Sequence, residues 1–390
     1  MRIIVSFTTI PSRVQTLNCV LDSILAQTKL PDSIYLYVSR SQFNKEQSQL
    51  LIDITEPYIS CGLHLVWVDG DIGPHKKYYY AMQQFPDDVI ITIDDDVIYP
   101  PEMISRLWNL YMNHPTSVIS NRTYLMSKAD DNTLGLYKHW LLLNTDYYTE
   151  ERMDLFATGC AGVLYPPHLF SDILFEKKSF MKLCPFADDV WLKANEVYCG
   201  IPVVISPEQG LRFIGYDGLY VQHNKAGGND EQIRRVFSFF ESKDALFRRK
   251  LSIPSMIPVQ EVSVLKKEIC LNLLERFWQK IGVLPSLSLY GAGKIAYSIC
   301  AYFAYNGSSE MIDSILVEST ENNPSSVLNI PVVSYLGISE APQNILITVM
   351  DRSNEQTIIA RLHEVLGHEI SILTLDFGTK NSFLDYVEYI

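Results

Sequence analysis

Residues 89–100, with the sequence VIITIDDDVIYP, contain an apolar run that ends in three consecutive aspartates. The apolar run over 89–93 is rich in β-branched residues, which predicts a strand buried on both faces. Asp94, Asp95 and Asp96 follow this strand directly, and more apolar residues come after them. In a mostly parallel sheet, ligands bind beyond the carboxyl ends of the strands, so the position of the triplet predicts a binding site.

The chemistry of the triplet indicates a divalent cation. Adjacent carboxylates in a poorly solvated place repel one another, and each must take up a proton or find a cation. On an extended chain the side chains of Asp94 and Asp96 point to the same side and share one ligand. Oxygen-only ligation suits Mg²⁺ or Mn²⁺, and such an ion neutralises a diphosphate. The alternative interpretation is a solvated acidic turn.

The residues before the triplet alternate between strand-like and helix-like patterns. Between the first two predicted strands, apolar residues at helical spacing predict a helix over 14–25, with Ser12 and Gln15 as its capping box. The predicted strands are Ile3–Phe7, Ser33–Ser39 and Leu63–Val68. Strand, helix and strand in this order predict an α/β fold with a mostly parallel sheet covered by helices.

The length of 390 residues predicts more than one domain. We expect a nucleotide-binding domain over 1–250, a helical linker over 251–284 and a smaller α/β domain over 285–390. The linker contains apolar residues at four-residue intervals from 265 to 281, which predict an amphipathic helix. This helix either packs against a domain or lies on a membrane surface, because basic and aromatic residues mix within it.

The C-terminal domain opens with a glycine pattern typical of dinucleotide-binding folds. A predicted strand leads into Gly291-Ala292-Gly293-Lys294-Ile295-Ala296 and then into a helix, and Glu318 ends the next strand, where a ribose-binding acid is expected. These residues predict a Rossmann-like domain, in which Gly291, Gly293 and Glu318 are the candidate second nucleotide site and NAD is a candidate ligand. The alternative is that the domain is a ligand-free scaffold or an oligomerisation module. In the second case the chain would form a homo-oligomer.

Composition narrows the class of protein further. The net charge of −13 argues against nucleic acid as a partner, because phosphate backbones need basic surfaces. The seven cysteines show no paired spacing, which favours free thiols in a reducing compartment. The chain starts with a predicted strand rather than a signal peptide, and no apolar run reaches membrane-spanning length. We therefore expect a cytoplasmic protein, with the inner face of the membrane as a contact surface.

The triplet and its surroundings resemble a known family. Asp94-Asp95-Asp96 resembles the D-x-D motif of GT-A-fold glycosyltransferases, and residues 6–13 (SFTTIPSR), 23–27 (SILAQ) and Pro31-Asp32 resemble bacterial family-2-like members. The resemblance extends through about residue 240. It implies a metal-dependent enzyme of the hexosyltransferase class that moves a sugar from a nucleotide-sugar, a UDP-sugar, to a glycan or lipid-linked glycan. Inversion and a role in bacterial surface polysaccharide synthesis are also implied.

The resemblance also implies roles for single residues. The loop after the first strand would bind the donor, and because it precedes a helix N-terminus, it is also a natural site for phosphate. Asp96 would hold the metal, and Asp94 would contact the metal or the ribose. Either lysine of the pair after the third strand would meet the diphosphate, or remain an exposed surface charge. The full implied donor-binding set is Thr8, Thr9, Arg13, Asp69, Asp71, Lys76, Lys77, Asp94 and Asp95.

Three further residues complete the expected site. Inverting transfer needs a carboxylate that takes the proton of the acceptor hydroxyl. We expect this base to be Asp189, with Asp188 as its orienting partner or substitute, while the alternative is that both cap a helix. His223 is the candidate third metal ligand, or else a structural histidine.

Two other functions remain open on the sequence alone. An NAD-dependent sugar oxidoreductase or epimerase would use the C-terminal glycine pattern, but it would leave the triplet and Asp188-Asp189 without a role. A non-catalytic nucleotide- or glycan-binding protein would keep the fold without turnover. Donor hydrolysis separates the enzyme from the binding protein, and changes in cofactor absorbance test the oxidoreductase.

Overall fold

A computed structural model describes residues 1–143, 150–206, 211–214, 228–349, 355–375 and 377–389. The chain forms two compact units, Met1–Val262 and Ser263–Ile390. The division falls within the helix Val259–Ile281, which covers the amphipathic segment expected in the linker.

The first unit contains strands and helices in alternation. Its strands are β1 (Ile3–Phe7), β2 (Ser33–Ser39), β3 (Leu63–Val68), β4 (Val89–Thr92), β5 (Val97–Ile98), β6 (Val118–Ser120), β7 (Thr123–Leu125), β8 (Ser127–Lys128), β9 (Leu141–Leu143), β10 (Leu155–Ala157), β11 (Val163–Tyr165), β12 (Val203–Ile205), β13 (Arg212–Phe213) and β14 (Ile257–Pro258). Its helices are α1 (Leu17–Leu25), α2 (Lys45–Ile59), α3 (Lys76–Gln84), α4 (Met103–Asn113), α5 (Lys177–Leu183), α6 (Asp188–Cys199), α7 (Gly228–Lys243) and α8 (Phe247–Lys250), and α9 (Val259–Ile281) crosses the division.

The central sheet has the strand order β12-β6-β11-β4-β1-β2-β3. The pairs β1–β2, β1–β4, β2–β3 and β6–β12 are parallel, and β11 runs antiparallel to both of its neighbours. The predicted α/β fold with a mostly parallel sheet is confirmed. Because β1, β3 and β4 run in the same direction, the residues that follow them lie on one edge of the sheet.

Burial explains why these segments form a core. Every residue of β1 and of β4 is buried, as expected for strands covered on both faces. The apolar face of α1 packs into the main core through Leu17, Val20, Leu21 and Ile24. The N-terminal helix therefore buries the stripe that its periodicity predicted.

The start of this helix differs from the prediction. Residues Pro11–Thr16 form a 3₁₀ turn whose N-cap is Ile10, and α1 begins only at Leu17. Ser12 lies inside the 3₁₀ turn, so the predicted capping box of Ser12 and Gln15 is wrong. Proline at the first position favours the early turn, because it has no N–H to satisfy there.

A small antiparallel sheet has the strand order β10-β7-β9. Its strand β10 ends at Ala157, so residues 158–160 leave the sheet directly. Two further strand pairs, β13–β5 and β14–β8, join segments that are distant in sequence.

The second unit is a separate α/β structure. Its strands are β15 (Leu287–Tyr290), β16 (Ile312–Val317), β17 (Ser326–Val327), β18 (Ile330–Ser334), β19 (Asn344–Ile347) and β20 (Ser371–Thr374). Its own helices are α10 (Lys294–Tyr305), α11 (Glu355–Leu366) and α12 (Phe377–Tyr389). The sheet order is β17-β18-β16-β15-β19-β20, with every pair parallel except β17–β18. Across the described parts of both units, no helix has the length and apolar character needed to cross a bilayer.

Candidate active site

The aspartate triplet lies just beyond β4 but is not extended. Asp94 follows the strand, and Asp95 and Asp96 form a turn before β5. The extended conformation expected for the triplet is therefore wrong, although the burial of the three side chains still alternates. The side chain of Asp95 is buried, with its Oδ1 atom 2.6 Å from Nη1 of Arg13, while Asp94 and Asp96 are partly exposed. The turn separates one inward carboxylate from two that reach the surface.

The two outer carboxylates, Asp94 and Asp96, repel each other. Burial raises the pKa of Asp96 well above its ordinary value, the charge of Asp94 raises it further, and Arg13 opposes both effects. Arg13 reaches Asp96 through Nη2, which lies 3.0 Å from Oδ2. A pair of mutually repelling, partly exposed carboxylates suits a hard divalent cation, whose preferred ligands are oxygens.

The predicted metal set is only partly visible. Where the chain is described, no group of three His, Cys, Asp or Glu side chains is placed to hold a metal ion. Asp94 and Asp96 supply two carboxylates, and the third predicted ligand, His223, lies outside the described residues. The donor chemistry at the triplet thus fits Mg²⁺ or Mn²⁺ through these two side chains.

Lys77 joins the triplet to a second acidic pair. Its buried Nζ atom lies 2.8 Å from Oδ1 of Asp94 and 2.9 Å from Oδ2 of Asp188. Burial by itself would lower the pKa of Lys77, but the charges of Asp188 and Asp94 hold it well above the ordinary value. The lysine is therefore a charged bridge between α3 and α6, and not an exposed surface residue.

Asp188 and Asp189 begin α6, as the sequence predicted. Asp188 is buried, whereas Asp189 is partly exposed, and its Oδ1 atom accepts a hydrogen bond of 3.1 Å from the backbone N–H of Gly159. Burial raises the pKa of Asp189, Asp188 raises it further, and Lys77 opposes the rise. Asp189 is thus a carboxylate with raised basicity that remains accessible.

Gly159 permits the close contact of these groups. A Cβ atom at this position would lie 2.6 Å from Nζ of Lys77 and 3.0 Å from Oδ1 of Asp189. Both distances are too short for a carbon atom, so the lysine and the aspartate approach the backbone only because the residue is glycine.

Tyr99 links the triplet to the same glycine segment and was missed by the sequence reasoning. Its hydroxyl donates to the carbonyl oxygen of Cys160 and accepts from the backbone N–H of Asp94, both at 2.9 Å. The ring is buried, which keeps the two hydrogen bonds away from water. The only signal in the sequence was an aromatic residue soon after the triplet, and that pattern is common in cores.

The loop after β1 supplies a polar group without a partner. Among the described residues, the buried Oγ1 atom of Thr8 has no hydrogen-bond partner. Thr9 is also buried, and Arg13 at the start of the following turn pairs with the triplet. A buried hydroxyl without a partner is costly, so Thr8 is available to a ligand at this edge of the sheet.

The acidic residues after β3 lie in different surroundings. Asp69 is almost fully exposed, and its Oδ1 atom lies 3.7 Å from Nε of Arg40. Asp71 accepts from the N–H of Gly73 at 2.9 Å and pairs with the buried Lys76 at 2.5 Å. The structure therefore joins Asp71 to Lys76, separately from the ion pairs that Lys77 makes with Asp94 and Asp188.

In the second unit, Gly291 and Gly293 form the turn between β15 and α10. Gly291 has φ of +102°, and a Cβ there would lie 3.1 Å from Val349, so glycine is required. Glu318 follows β16 and pairs with Arg361 at 2.8 Å. A cavity of about 510 Å³ lies at the turn, lined by Ala292, Gly293, Lys294, Tyr297, Pro324, Ser326, Val327 and Leu328.

No family model matches the chain, and no curated protein matches it. Solved structures that resemble it include S. aureus TarS, at 14% identity over 62% of this chain with a TM-score of 0.41. The chain spans 39% of the length of that protein.

Two further structures show similarity of the same extent. Mannosyltransferase PcManGT from Pyrobaculum calidifontis, in complex with GDP-Man and Mn²⁺, matches at 14% identity over 80% of this chain and 83% of its own, with a TM-score of 0.40. Glucosyl-3-phosphoglycerate synthase from Mycobacterium tuberculosis, in complex with Mn²⁺, UDP and glucosyl-3-phosphoglycerate, matches at 13% identity over 62% and 79%, with a TM-score of 0.37. Identities of 13–14% and TM-scores of 0.37–0.41 do not establish what this chain does.

Proposed function

We propose that the first unit is a GT-A-type glycosyltransferase domain that moves a sugar from a nucleotide-sugar donor, a UDP-sugar, to a hydroxyl of a glycan or lipid-linked glycan. The observation that carries this proposal is the bridge of Lys77 between Asp94 and Asp188. It joins a carboxylate pair suited to a divalent cation to a helix start that carries an accessible carboxylate. These are the two parts that metal-assisted transfer to a hydroxyl requires.

On this proposal the donor diphosphate lies beyond the carboxyl ends of β1 and β4. Asp94 and Asp96 would hold Mg²⁺ or Mn²⁺, which when bound offsets the negative charge of the departing nucleoside diphosphate. Thr8 offers its hydroxyl to the nucleotide, and Arg13 keeps the triplet in its turned conformation through Asp95. Lys77 holds Asp94 and Asp188 in place and supplies positive charge close to the diphosphate.

Asp189 acts as the general base in this proposal. Its carboxylate takes the proton of the acceptor hydroxyl while the acceptor oxygen forms a bond to the anomeric carbon. The bond from that carbon to the diphosphate oxygen breaks, and the electron pair leaves with the nucleoside diphosphate. Displacement from the opposite side inverts the anomeric carbon. The raised pKa of Asp189 suits the role, because a base works best when its pKa lies near the working pH.

Calorimetry of UDP binding tests the donor site, with and without Mn²⁺, in the wild type and in Asp96→Asn. We expect binding that depends on Mn²⁺ and is lost in the variant. Binding of equal strength without the metal would remove the metal from the proposal. No binding at all would remove UDP as well, and other nucleotides would then be tested.

A second variant separates an enzyme from a non-catalytic binding protein. Asp189→Asn should bind UDP as the wild type does, because the residue contacts the backbone of Gly159 and not the triplet. Its hydrolysis of UDP-sugars, measured as UDP release, should fall by about 10²–10⁴-fold. Equal hydrolysis by both proteins would show that Asp189 is not the base.

For the second unit we propose a Rossmann-like nucleotide-binding domain. The parallel order of β18-β16-β15-β19-β20 places the turn after β15 at the point where the strand order reverses, which is where ligands bind in such sheets. NAD is the candidate ligand, and changes in the fluorescence of its reduced form, NADH, on binding to the wild type and to Gly293→Asp test it. Equal binding by both proteins would remove the turn as the site.

A further inference from the structure

We propose that Arg122 binds an anionic group of the acceptor, a phosphate or a carboxylate, beside the base Asp189. This inference rests on the proposed function, because it names the class of acceptor that the same site would take.

Among the residues that the structure describes, Arg122 has only neutral partners. It lies between β6 and β7, where Nη1 donates to the hydroxyl of Thr158 and Nη2 to the hydroxyl of Tyr124, both at 3.1 Å. The guanidinium carbon lies 5.1 Å from the centre of the Tyr124 ring, and Nη1 lies 3.9 Å from Sγ of Cys160. In the described parts of the chain, no carboxylate forms an ion pair with Arg122. The guanidinium has more N–H groups than these partners occupy.

Two other half-buried arginines of the same unit are neutralised. Arg13 pairs with Asp95 and Asp96, and Arg152 forms two hydrogen bonds to Asp154, at 2.8 and 2.7 Å. A partly buried cation without a counter-charge costs free energy, and a bound anion would remove that cost. The planar guanidinium also matches the geometry of phosphate and carboxylate oxygens.

The position of Arg122 assigns the anion to the acceptor. The hydroxyl of Thr158 donates to the carbonyl oxygen of Arg122 at 3.0 Å and accepts from its guanidinium. The next residue, Gly159, donates its N–H to Asp189. The cation and the base therefore contact consecutive residues of one segment, so one acceptor molecule can reach both. The reacting hydroxyl would lie at Asp189, and the anionic group of the same molecule at Arg122.

The donor diphosphate is the competing source of an anion. Its charge on the proposed function is met at the triplet, and Arg122 makes no described contact with Asp94, Asp96 or Lys77. Partly exposed aromatic rings lie beside Arg122 instead: its guanidinium lies over the ring of Tyr124, and the ring of Tyr137 lies 5.2 Å from that of Tyr124. Such rings suit the apolar faces of a sugar acceptor.

The experiment is calorimetry at millimolar ligand, with methyl phosphate and acetate as the probes and glycerol as the neutral control. Each is titrated into the full chain, with and without saturating Mg²⁺ and UDP. We expect the wild type to bind at least one anion and not glycerol, and Arg122→Gln to bind it about tenfold more weakly. The anion affinity of Arg122→Lys should lie between those of the wild type and Arg122→Gln. The control Arg152→Gln, which removes another half-buried arginine, should bind as the wild type does.

Each outcome decides the inference. If the wild type binds neither anion, or Arg122→Gln binds as well as the wild type, Arg122 is a structural residue. If Arg122→Gln weakens UDP binding about tenfold, the anion is the donor diphosphate and the acceptor assignment is wrong. If UDP fails to bind while the anions still bind through Arg122, the proposed function fails and the anion site remains. Arg122→Lys keeps the test valid if Arg122→Gln does not fold.

Discussion

The Nζ atom of Lys77 lies 2.8 Å from Oδ1 of Asp94, so a buried cation touches the first aspartate of the triplet. The same atom also lies 2.9 Å from Asp188 at the start of α6. One side chain thereby holds together the edge of the central sheet and the helix that carries the proposed base. Stability and activity are expected to depend on it together.

Replacement of Lys77 by methionine should lower the free energy of unfolding by about 3–5 kcal/mol, because it leaves the buried carboxylate of Asp188 without its cation. Urea unfolding at neutral pH measures the change. Lys182→Met, at an exposed position of α5, is the control and should change stability by less than about 0.5 kcal/mol. The double variant Lys77→Met with Asp188→Asn should recover part of the loss, and simple additivity of the two changes would contradict the bridge.

His75 should make the protein less stable as the pH falls. Burial lowers its pKa from 6.5 to about 4. Nε2 donates to the carbonyl of Cys184, which leaves Nδ1 to accept from the hydroxyl of Tyr78, an arrangement that needs the neutral ring. The unfolded chain takes up a proton below pH 6.5 and the folded chain does not, so the contribution is complete above pH 6.5 and is lost as the pH falls towards 4.

The loss amounts to about 3 kcal/mol over this interval. It is measured as the difference in unfolding free energy between the wild type and His75→Gln, whose side chain hydrogen-bonds without titrating. The difference should be constant above pH 7. Below pH 6.5 the wild type should lose stability relative to His75→Gln. Parallel curves for the two proteins between pH 7 and pH 4 would show that His75 titrates normally.

Manganese should stabilise the wild type through the outer carboxylates only. At 100 times its dissociation constant, a ligand that binds only the folded state stabilises it by about 2.7 kcal/mol. We expect a rise in melting temperature with Mn²⁺ that EDTA reverses and that Asp96→Asn abolishes. Asp95→Asn, one residue away, should keep the rise, because its side chain faces Arg13. A loss of the effect in both variants would mean that the whole triplet binds the ion.

Gly159→Ala should act mainly on the rate of donor turnover and less on the free energy of unfolding. The new Cβ would displace Lys77 and Asp189, from which it would lie only 2.6 and 3.0 Å away. A displacement of about 1 Å at a reacting group costs on the order of 10²-fold in rate. UDP release from UDP-sugars measures the effect, with Gly337→Ala as the control because a Cβ there meets nothing within 4 Å. Equal rates for the two variants would argue against Asp189 as the base.

The sequence alone determined the elements that depend on residues close to one another in the chain. The strands Ile3–Phe7, Ser33–Ser39 and Leu63–Val68 have the predicted bounds, the triplet follows β4, and α6 begins at Asp188. These features follow from hydrophobic periodicity and from residues that end an element, and both are local properties of the chain. The capping box at Ser12 failed because proline at position 11 started a 3₁₀ turn earlier in the chain.

The tertiary structure alone decided which charges meet. Two ion pairs join residues that lie far apart in the chain: Asp95 is buried against Arg13, and Lys77 bridges to Asp188. No local pattern distinguishes Lys77 from Lys76, yet one joins the two acidic groups and the other pairs with Asp71. The difference arises because their side chains leave α3 in different directions, and only the tertiary packing of α3 determines which carboxylates each one reaches.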